Sequence, residues 1–170
     1  MATGHLDIAL PARIESLEVR ELQAEEGATL QDLFDGLPDY ATLFGDPGAA
    51  DAVSTFLSLP EGKDYEDKFL FGIWDGVRLV GAGDLIRGYP AANVWTLGLF
   101  VLDMPHRGQG VGRALMGWVE GAARGQGAAW MRCLVRPQNE DGAHFLTALG
   151  YTKESELPSS NRAVYQKPLG

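Results

Sequence analysis

The chain is short of several things, and each shortage narrows what it can be. It has one cysteine, Cys133, in 170 residues, so no disulfide can form within it and a reducing compartment suits it best. Basic residues are outnumbered: 14 Lys and Arg against 23 Asp and Glu give a net charge of −9. That balance argues against nucleic acid or an anionic membrane as partner, because both are held through basic surface. It leans mildly towards a cationic or amine substrate. No apolar run approaches the roughly 20 residues needed to cross a bilayer. The opening stretch "MATGHLDIALPARIE" lacks the basic start and apolar run of a secretory signal, so the cytoplasm is the expected location. Histidine is scarce, and no histidine, cysteine or carboxylate cluster has metal-ligand spacing, so no metal is expected. Internal repeats, low-complexity runs and clear linkers are missing as well.

What is present suits one domain over residues 1–170, with a mobile N-terminal tail expected over 1–16 that includes His5. The composition, 45% hydrophobic and 22% charged, is that of a globular chain able to bury a sizeable core. "LEVREL" (17–22) reads as a strand, and Leu30, Leu33, Phe34 and Leu37 follow at helical spacing. "DPGAADAVSTFLSLP" offers Asp46 as a helix N-cap, Pro47 at the first helical position and an inner stripe of Ala50, Val53 and Leu57. "KFLFGIW" (68–74) and "RLVGAGDLI" (78–86) form a predicted hairpin, and "NVWTLGLFVL" (93–102) is apolar on both faces, as an interior strand is. Val111, Ala114, Leu115, Trp118, Val119 and Ala122 mark an amphipathic helix, "AWMRCLV" (129–135) a strand, Asn139 the cap of a further helix, and "RAVYQKPL" (162–169) a closing strand. The pattern is mixed α/β.

Between the long strand and the amphipathic helix lies "PHRGQGVGRALM", residues 105–116. Glycine weakens helices, so Gly108, Gly110 and Gly112 need another reason to stand at a helix start. A dinucleotide-binding turn requires G-x-G-x-x-G, and here the last glycine arrives one residue early. A P-loop requires a Gly-Lys-Ser/Thr ending, which is absent. What survives is an anion cradle: free backbone N–H groups and the positive end of a helix dipole meet where glycines let a pyrophosphate come close. Arg107 and Arg113 add charged donors. The plain alternative is a loop with incidental glycines.

"RGQGVGRAL" resembles the Arg/Gln-x-x-Gly-x-Gly/Ala signature of the GCN5-related N-acetyltransferase (GNAT) superfamily. The strand "LGLFVL", the following helix, "WMRCLV" and "NEDGAHFLTALGY" stand in that family's order and spacing, so the likeness covers about residues 78–152. The resemblance implies a GNAT fold: a central mixed, mostly antiparallel sheet flanked by helices and splayed between strands 93–102 and 129–135 to admit acetyl-coenzyme A. It implies main-chain contacts from Phe100, Val101 and Leu102 to the pantetheine arm, one of whose N–H groups could polarise the thioester carbonyl. It implies pyrophosphate binding by Gly108, Gln109, Gly110, Val111, Gly112 and Arg113, with Arg107 beside them, and a coenzyme contact from Asn139. Acetyl-coenzyme A would be the cosubstrate, and the partner a small-molecule or peptide amine. The resemblance leaves a homodimer open.

The chain also departs from the family. Many members place a tyrosine where Leu146 stands, others a glutamate where Leu134 or Thr96 stands, so three familiar acid–base positions carry no titratable group. General acid–base help is worth about 10²–10⁴-fold, so its loss slows acetyl transfer without forbidding it. Asp84 is the first choice for a base, against the alternative of a solvated strand face. His144 and His106 read as surface or bystander histidines, and Cys133 as a core residue. Trp95, Arg87 and Tyr40 are candidates for lining an acceptor pocket. The expected activity is N-acetyl transfer by direct attack of a primary amine. The alternative is a module that binds acyl-coenzyme A without turnover, and a nucleotide-binding oxidoreductase is opposed by glycine spacing and strand order.

Overall fold

The computed structural model describes residues 12–170. Eight strands form one sheet: β1 (Ala12–Ile14), β2 (Leu17–Glu21), β3 (Lys68–Asp75), β4 (Arg78–Ile86), β5 (Val94–Leu102), β6 (Trp130–Val135), β7 (Thr152–Leu157) and β8 (Arg162–Pro168). Their order in space is β1-β2-β3-β4-β5-β6-β8-β7. Every neighbouring pair is antiparallel except β5 and β6, which are parallel. Five helices cover the two faces: α1 (Gly27–Asp35), α2 (Tyr40–Phe44), α3 (Ala52–Leu57), α4 (Val111–Gly125) and α5 (Glu140–Ala148). This is the mixed, flanked sheet expected from the sequence. None of the described helices is long and apolar enough to cross a membrane.

Each face of the sheet has its own core. Under α4, Val111, Leu115, Met116, Val119 and Ala123 bury against Phe69, Phe71, Leu85, Trp95 and Leu97. Trp118 lies edge-on to Phe69 and Phe71, with ring centroids 6.1 and 5.9 Å away. Phe71 is fully buried, and truncating such a side chain costs about 3–5 kcal/mol. On the opposite face Leu30, Leu33 and Phe34 of α1 pack on Leu70, Leu79, Ala82 and Val101. Glu120 interrupts the buried stripe of α4, and its carboxylate is satisfied there: it accepts from the Tyr151 hydroxyl at 2.7 Å and from Lys167 Nζ at 3.0 Å.

Several elements differ from the sequence expectation. The helix expected from Asp46 begins instead at Ala52. Gly48 takes φ +85°, which breaks any helix across it, and Asp51 caps by accepting from Ser54 N at 3.0 Å. The expected inner stripe is only partly inward: Ala50 and Ala52 are buried, but Val53 and Leu57 are 63% and 61% exposed. Ala12–Ile14, within the segment expected as a tail, is an edge strand paired to Leu17–Val19. Glu15 and Ser16 form the turn into β2, and residues 1–11, His5 included, lie outside the described residues. Helix α2 and strand β7 were not expected. β7 reads "TKESEL" and is exposed except at half-buried Leu157, so it offers no apolar alternation to detect.

Candidate active site

β5 and β6 pair only from Val94–Leu97 to Trp130–Cys133. Beyond that point the two strands diverge. On its other side β5 stays paired to β4, but Asp84 faces Leu99 while Leu85 faces Leu97, leaving Gly98 as an extra residue. A bulge of this kind bends its strand, and it falls where pairing to β6 ends. Residues 98–102 therefore present one backbone edge to the opening. Among them are Phe100, Val101 and Leu102.

The opening runs through the sheet. Its walls come from Met116, Phe145 and Leu146 on the α4–α5 side and from Leu43 and Phe44 of α2 on the other. Gly98, Cys133, Asn139, Arg136 and Arg162 also line it. A ligand entering from one face can thus meet a ligand entering from the other.

Immediately after β5, the turn at 107–110 leads into α4, and its glycines have distinct causes. Gly108 and Gly110 adopt φ +72° and +85°, with open space around each, so backbone conformation requires them. Gly112 is favoured by packing, since a Cβ there would lie 3.0 Å from the Phe145 ring and push it aside. Gly110 is the N-cap of α4, and no side chain caps that helix. The N–H groups of its first turn, from Val111, Gly112 and Arg113, therefore project unclaimed beside Gly108 and Gln109, and the helix dipole adds its positive end. Gln109 donates to Pro105 O at 2.8 Å, and Arg113 is exposed. Arg107 is committed elsewhere. It forks onto Asp39 at 2.8 and 3.1 Å and donates from Nε to Leu102 O at 2.7 Å. That pair ties the start of α2 to the end of β5 and holds the Asp39 carboxyl below its usual value. Asn139 caps α5 by accepting from Gly142 N at 2.9 Å, and it also lines the cleft.

The acid–base candidates are distributed unevenly. Asp84 is buried rather than solvated: its Oδ2 accepts from Lys68 Nζ at 2.8 Å, and Lys68 is 2% exposed. Its Oδ1 has no hydrogen-bond partner. Burial raises its pKa, against the pull of the Lys68 charge. Asp84 stands opposite Leu99, beside the bulge, one strand away from the cleft lining. Leu146 and Leu134 do line the cleft, and Thr96 is buried, donating to Tyr89 O at 2.6 Å. Cys133 lines it too, but burial pushes its thiol up to about 12, which leaves it unreactive at neutral pH. Tyr151 is held protonated by burial and by its bond to Glu120.

Other candidates lie elsewhere. His106 contacts Asp103 through Nδ1 at 2.5 Å and Asp75 through Nε2 at 3.3 Å, and His144 is exposed. Trp95 belongs to the core under α4, Arg87 pairs with Asp67, and the Tyr40 hydroxyl accepts from Ala50 N, so none of the three lines the cleft. No group of three or more His, Cys, Asp or Glu among the described residues could hold a metal. The sequence reading passed over Arg136 and Arg162. Nothing in "VRPQN" or "RAVYQ" marks them, and they meet only because β6 and β8 are neighbours.

A model of the Acetyltransferase (GNAT) family matches residues 32–151. No curated protein matches the chain. Among solved structures, an acetyltransferase from Thermus thermophilus is 24% identical, with a TM-score of 0.74 over 92% of this chain and 99% of its own. The GNAT domain of S. lividans PAT is 19% identical, with a TM-score of 0.69 over 89% and 90%. A PaiA N-acetyltransferase from Thermoplasma acidophilum, solved in complex with coenzyme A, is also 19% identical, with a TM-score of 0.64 over 91% and 99%. At these identities the likeness establishes the fold.

Proposed function

The chain belongs to the GNAT acetyltransferase family, and from that premise we propose that it transfers an acetyl group from acetyl-coenzyme A to a primary amine. The observation that carries this reading is the opening at Gly98, walled from both faces of the sheet, on the same strand that runs on into the turn at the uncapped start of α4. The residues there suit the cosubstrate. Backbone amides of 108–113 provide anion donors, the free edge of Phe100–Leu102 provides strand-like pairing for an amide-bearing arm, and Asn139 stands beside it.

The cosubstrate brings a thioester. The amine nitrogen forms a bond to its carbonyl carbon, the C–S bond breaks, and the thiol leaves with a proton that the amine gives up. The chain's part is to align the reactants and to move that proton. A backbone N–H on the free edge of β5 polarises the carbonyl. An amine with a lysine-like pKa near 10.4 is mostly protonated at neutral pH, so its deprotonation is the harder step. Asp84 is the base in this reading, acting through water. Its raised pKa and unpartnered Oδ1 suit it to hold the proton. With Leu146 in the cleft the chain has no tyrosine acid there, and a thiol of pKa near 8.5 leaves fairly well unaided. The reading includes a cytoplasmic location, which the single cysteine suits, and neither nucleic acid nor membrane as partner, which the −9 charge supports.

The test is thiol release from acetyl-coenzyme A across a panel of primary amines, with thermal stabilisation by coenzyme A measured in parallel. Amine-dependent release is expected. Stabilisation without release for any amine would refute turnover and favour the binding module, the reading that Leu146, Leu134 and Thr96 support.

A further inference from the structure

Two arginines on the α2 side of the opening bear on what else the acceptor carries. Arg136 follows β6 and reaches across the cleft, its Nη1 donating to the carbonyls of Ala41 at 2.8 Å and Thr42 at 3.2 Å. Arg162 opens β8 and donates from Nη1 to the carbonyl of the bulged Gly98 at 3.1 Å. Both are half-buried and both line the cleft. A guanidinium has five N–H donors, and these bonds use one nitrogen of each. All three acceptors are neutral carbonyls. Neither arginine is paired to a carboxylate among the described residues; Arg13, Arg113 and Arg124 also lack one but are exposed, and half-buried Arg132 lies over the Tyr89 ring, whereas Arg136 and Arg162 are half-buried side by side. In a chain with 23 acidic residues against 14 basic, two neighbouring cations without a counter-ion call for an explanation. Burial and the charge of Arg136 both depress the pKa of Arg162. Half-burying like charges together is unfavourable unless an anion joins them.

Resting on the reading that the cleft acetylates an amine, we propose that Arg136 and Arg162 bind a carboxylate of the acceptor, which is therefore a small amino acid-type molecule bearing both an amine and a carboxylate. A planar guanidinium matches a carboxylate with paired hydrogen bonds. Arg162 sits on the bulge carbonyl, so a carboxylate held there keeps an amine a few bonds away at the centre of the opening. The phosphates of the coenzyme are not the natural counter-ion. Their cradle at α4 follows the far end of β5, roughly 13 Å of strand beyond the bulge at about 3.3 Å per residue.

The experiment compares a panel of L-amino acids with their primary amides in the thiol-release assay. It is run on the parent protein and on Arg162→Gln. A charged hydrogen-bonded pair of this kind is worth about tenfold to a hundredfold, so the parent should favour the acid over its amide in kcat/KM by that factor. The ratio should fall towards one in Arg162→Gln through a higher KM for the acid, and Arg162→Lys should recover part of it. Equal rates for acid and amide would overturn the proposal while leaving the transferase reading intact. A variant that raises KM for acetyl-coenzyme A instead would assign the arginines to coenzyme phosphate, also overturning it. If no amine releases thiol, the transferase reading fails, and a second measurement decides on the anion site. N-acetyl amino acids should stabilise the coenzyme-saturated parent against heat more than their amides do, and equal stabilisation overturns the proposal.

Discussion

Alanine at Gly110 and alanine at Gly117 should move stability in opposite directions, although both sites belong to α4. Gly110 caps the helix with φ +85° and ψ 0°, a left-handed conformation that costs an L-residue about 1–2 kcal/mol. A Cβ there would meet nothing within 4 Å, so no clash or new contact adds to that cost. Gly117 lies in the helix interior, exposed, and its Cβ would also meet nothing within 4 Å. There alanine should gain about 0.8–1 kcal/mol from helix propensity alone. The two variants should then differ by about 2–3 kcal/mol, or roughly 4–12 °C in Tm for a chain of this size. Urea titration of both against the parent measures it. A Gly110→Ala protein as stable as the parent, or a Gly117→Ala protein less stable than it, would refute the reasoning. A second arm reads the cradle. Coenzyme A at a hundred times its Kd stabilises by about 2.7 kcal/mol, and Gly117→Ala should keep that increment. Gly110→Ala should lose much of it, because the new methyl group stands among the anion donors.

Cys133, buried with its thiol pushed up to about 12, should stay unlabelled by a disulfide reagent at pH 8 in the native protein and react only in urea; rapid native labelling would contradict its placement. The hydrogen bond from Arg107 holds the Asp39 carboxyl below its ordinary 3.8, against desolvation. The stability this adds is present above pH 3.8 and lost as pH falls through the lowered value, so Asp39→Asn should flatten the acid limb of a stability-against-pH curve. Burial raises Asp84 above 3.8 despite Lys68. The folded protein then holds that proton more tightly, so Asp84 makes stability decline as pH rises from 3.8 through the raised value. In the same pH range kcat/KM should rise as Asp84 ionises, and a flat acid limb in the rate profile would exclude it as the base. Removing the Asp84 carboxylate strands Lys68, so Asp84→Leu should cost about 3–5 kcal/mol, and the double variant Lys68→Met/Asp84→Leu should recover most of that in urea titrations.

The segment from β4 to α5 was legible because each element carries its signal locally. Val111, Leu115, Val119 and Ala123 repeat at helical spacing, and Asn139 caps where a cap was expected. Of the glycine turn, the sequence supplied the need for special backbone but not the division of labour, since only Phe145 packed on Gly112 shows that one glycine serves packing. Asp46 and Pro47 looked like a helix start, and a left-handed Gly48 overrode them. β7 was illegible because an exposed edge strand needs no apolar face. Asp84 was picked out, but its partner was not, because Lys68 reaches it only through antiparallel pairing of β3 with β4. Arg136 and Arg162 left no trace in the sequence, since what distinguishes them is that the fold half-buries them side by side in the cleft with no carboxylate between them.

The extra residue at Gly98 also reverses the odd–even rule of its strand. Ahead of it, odd-numbered Trp95 and Leu97 face α4. Past it, even-numbered Phe100 and Leu102 do, and odd-numbered Leu99 and Val101 face α1. The alternation of a strand has a period of two, so one extra residue exchanges the parity of its faces. Deleting Gly98 would therefore restore plain alternation rather than exchange the faces. Leu99 would follow Leu97 directly, still opposite Asp84 and on the α1 side, and Phe100 would stay on the α4 side. The two cores would keep their residues, and the strand would lose only the bend that falls where its pairing to β6 ends.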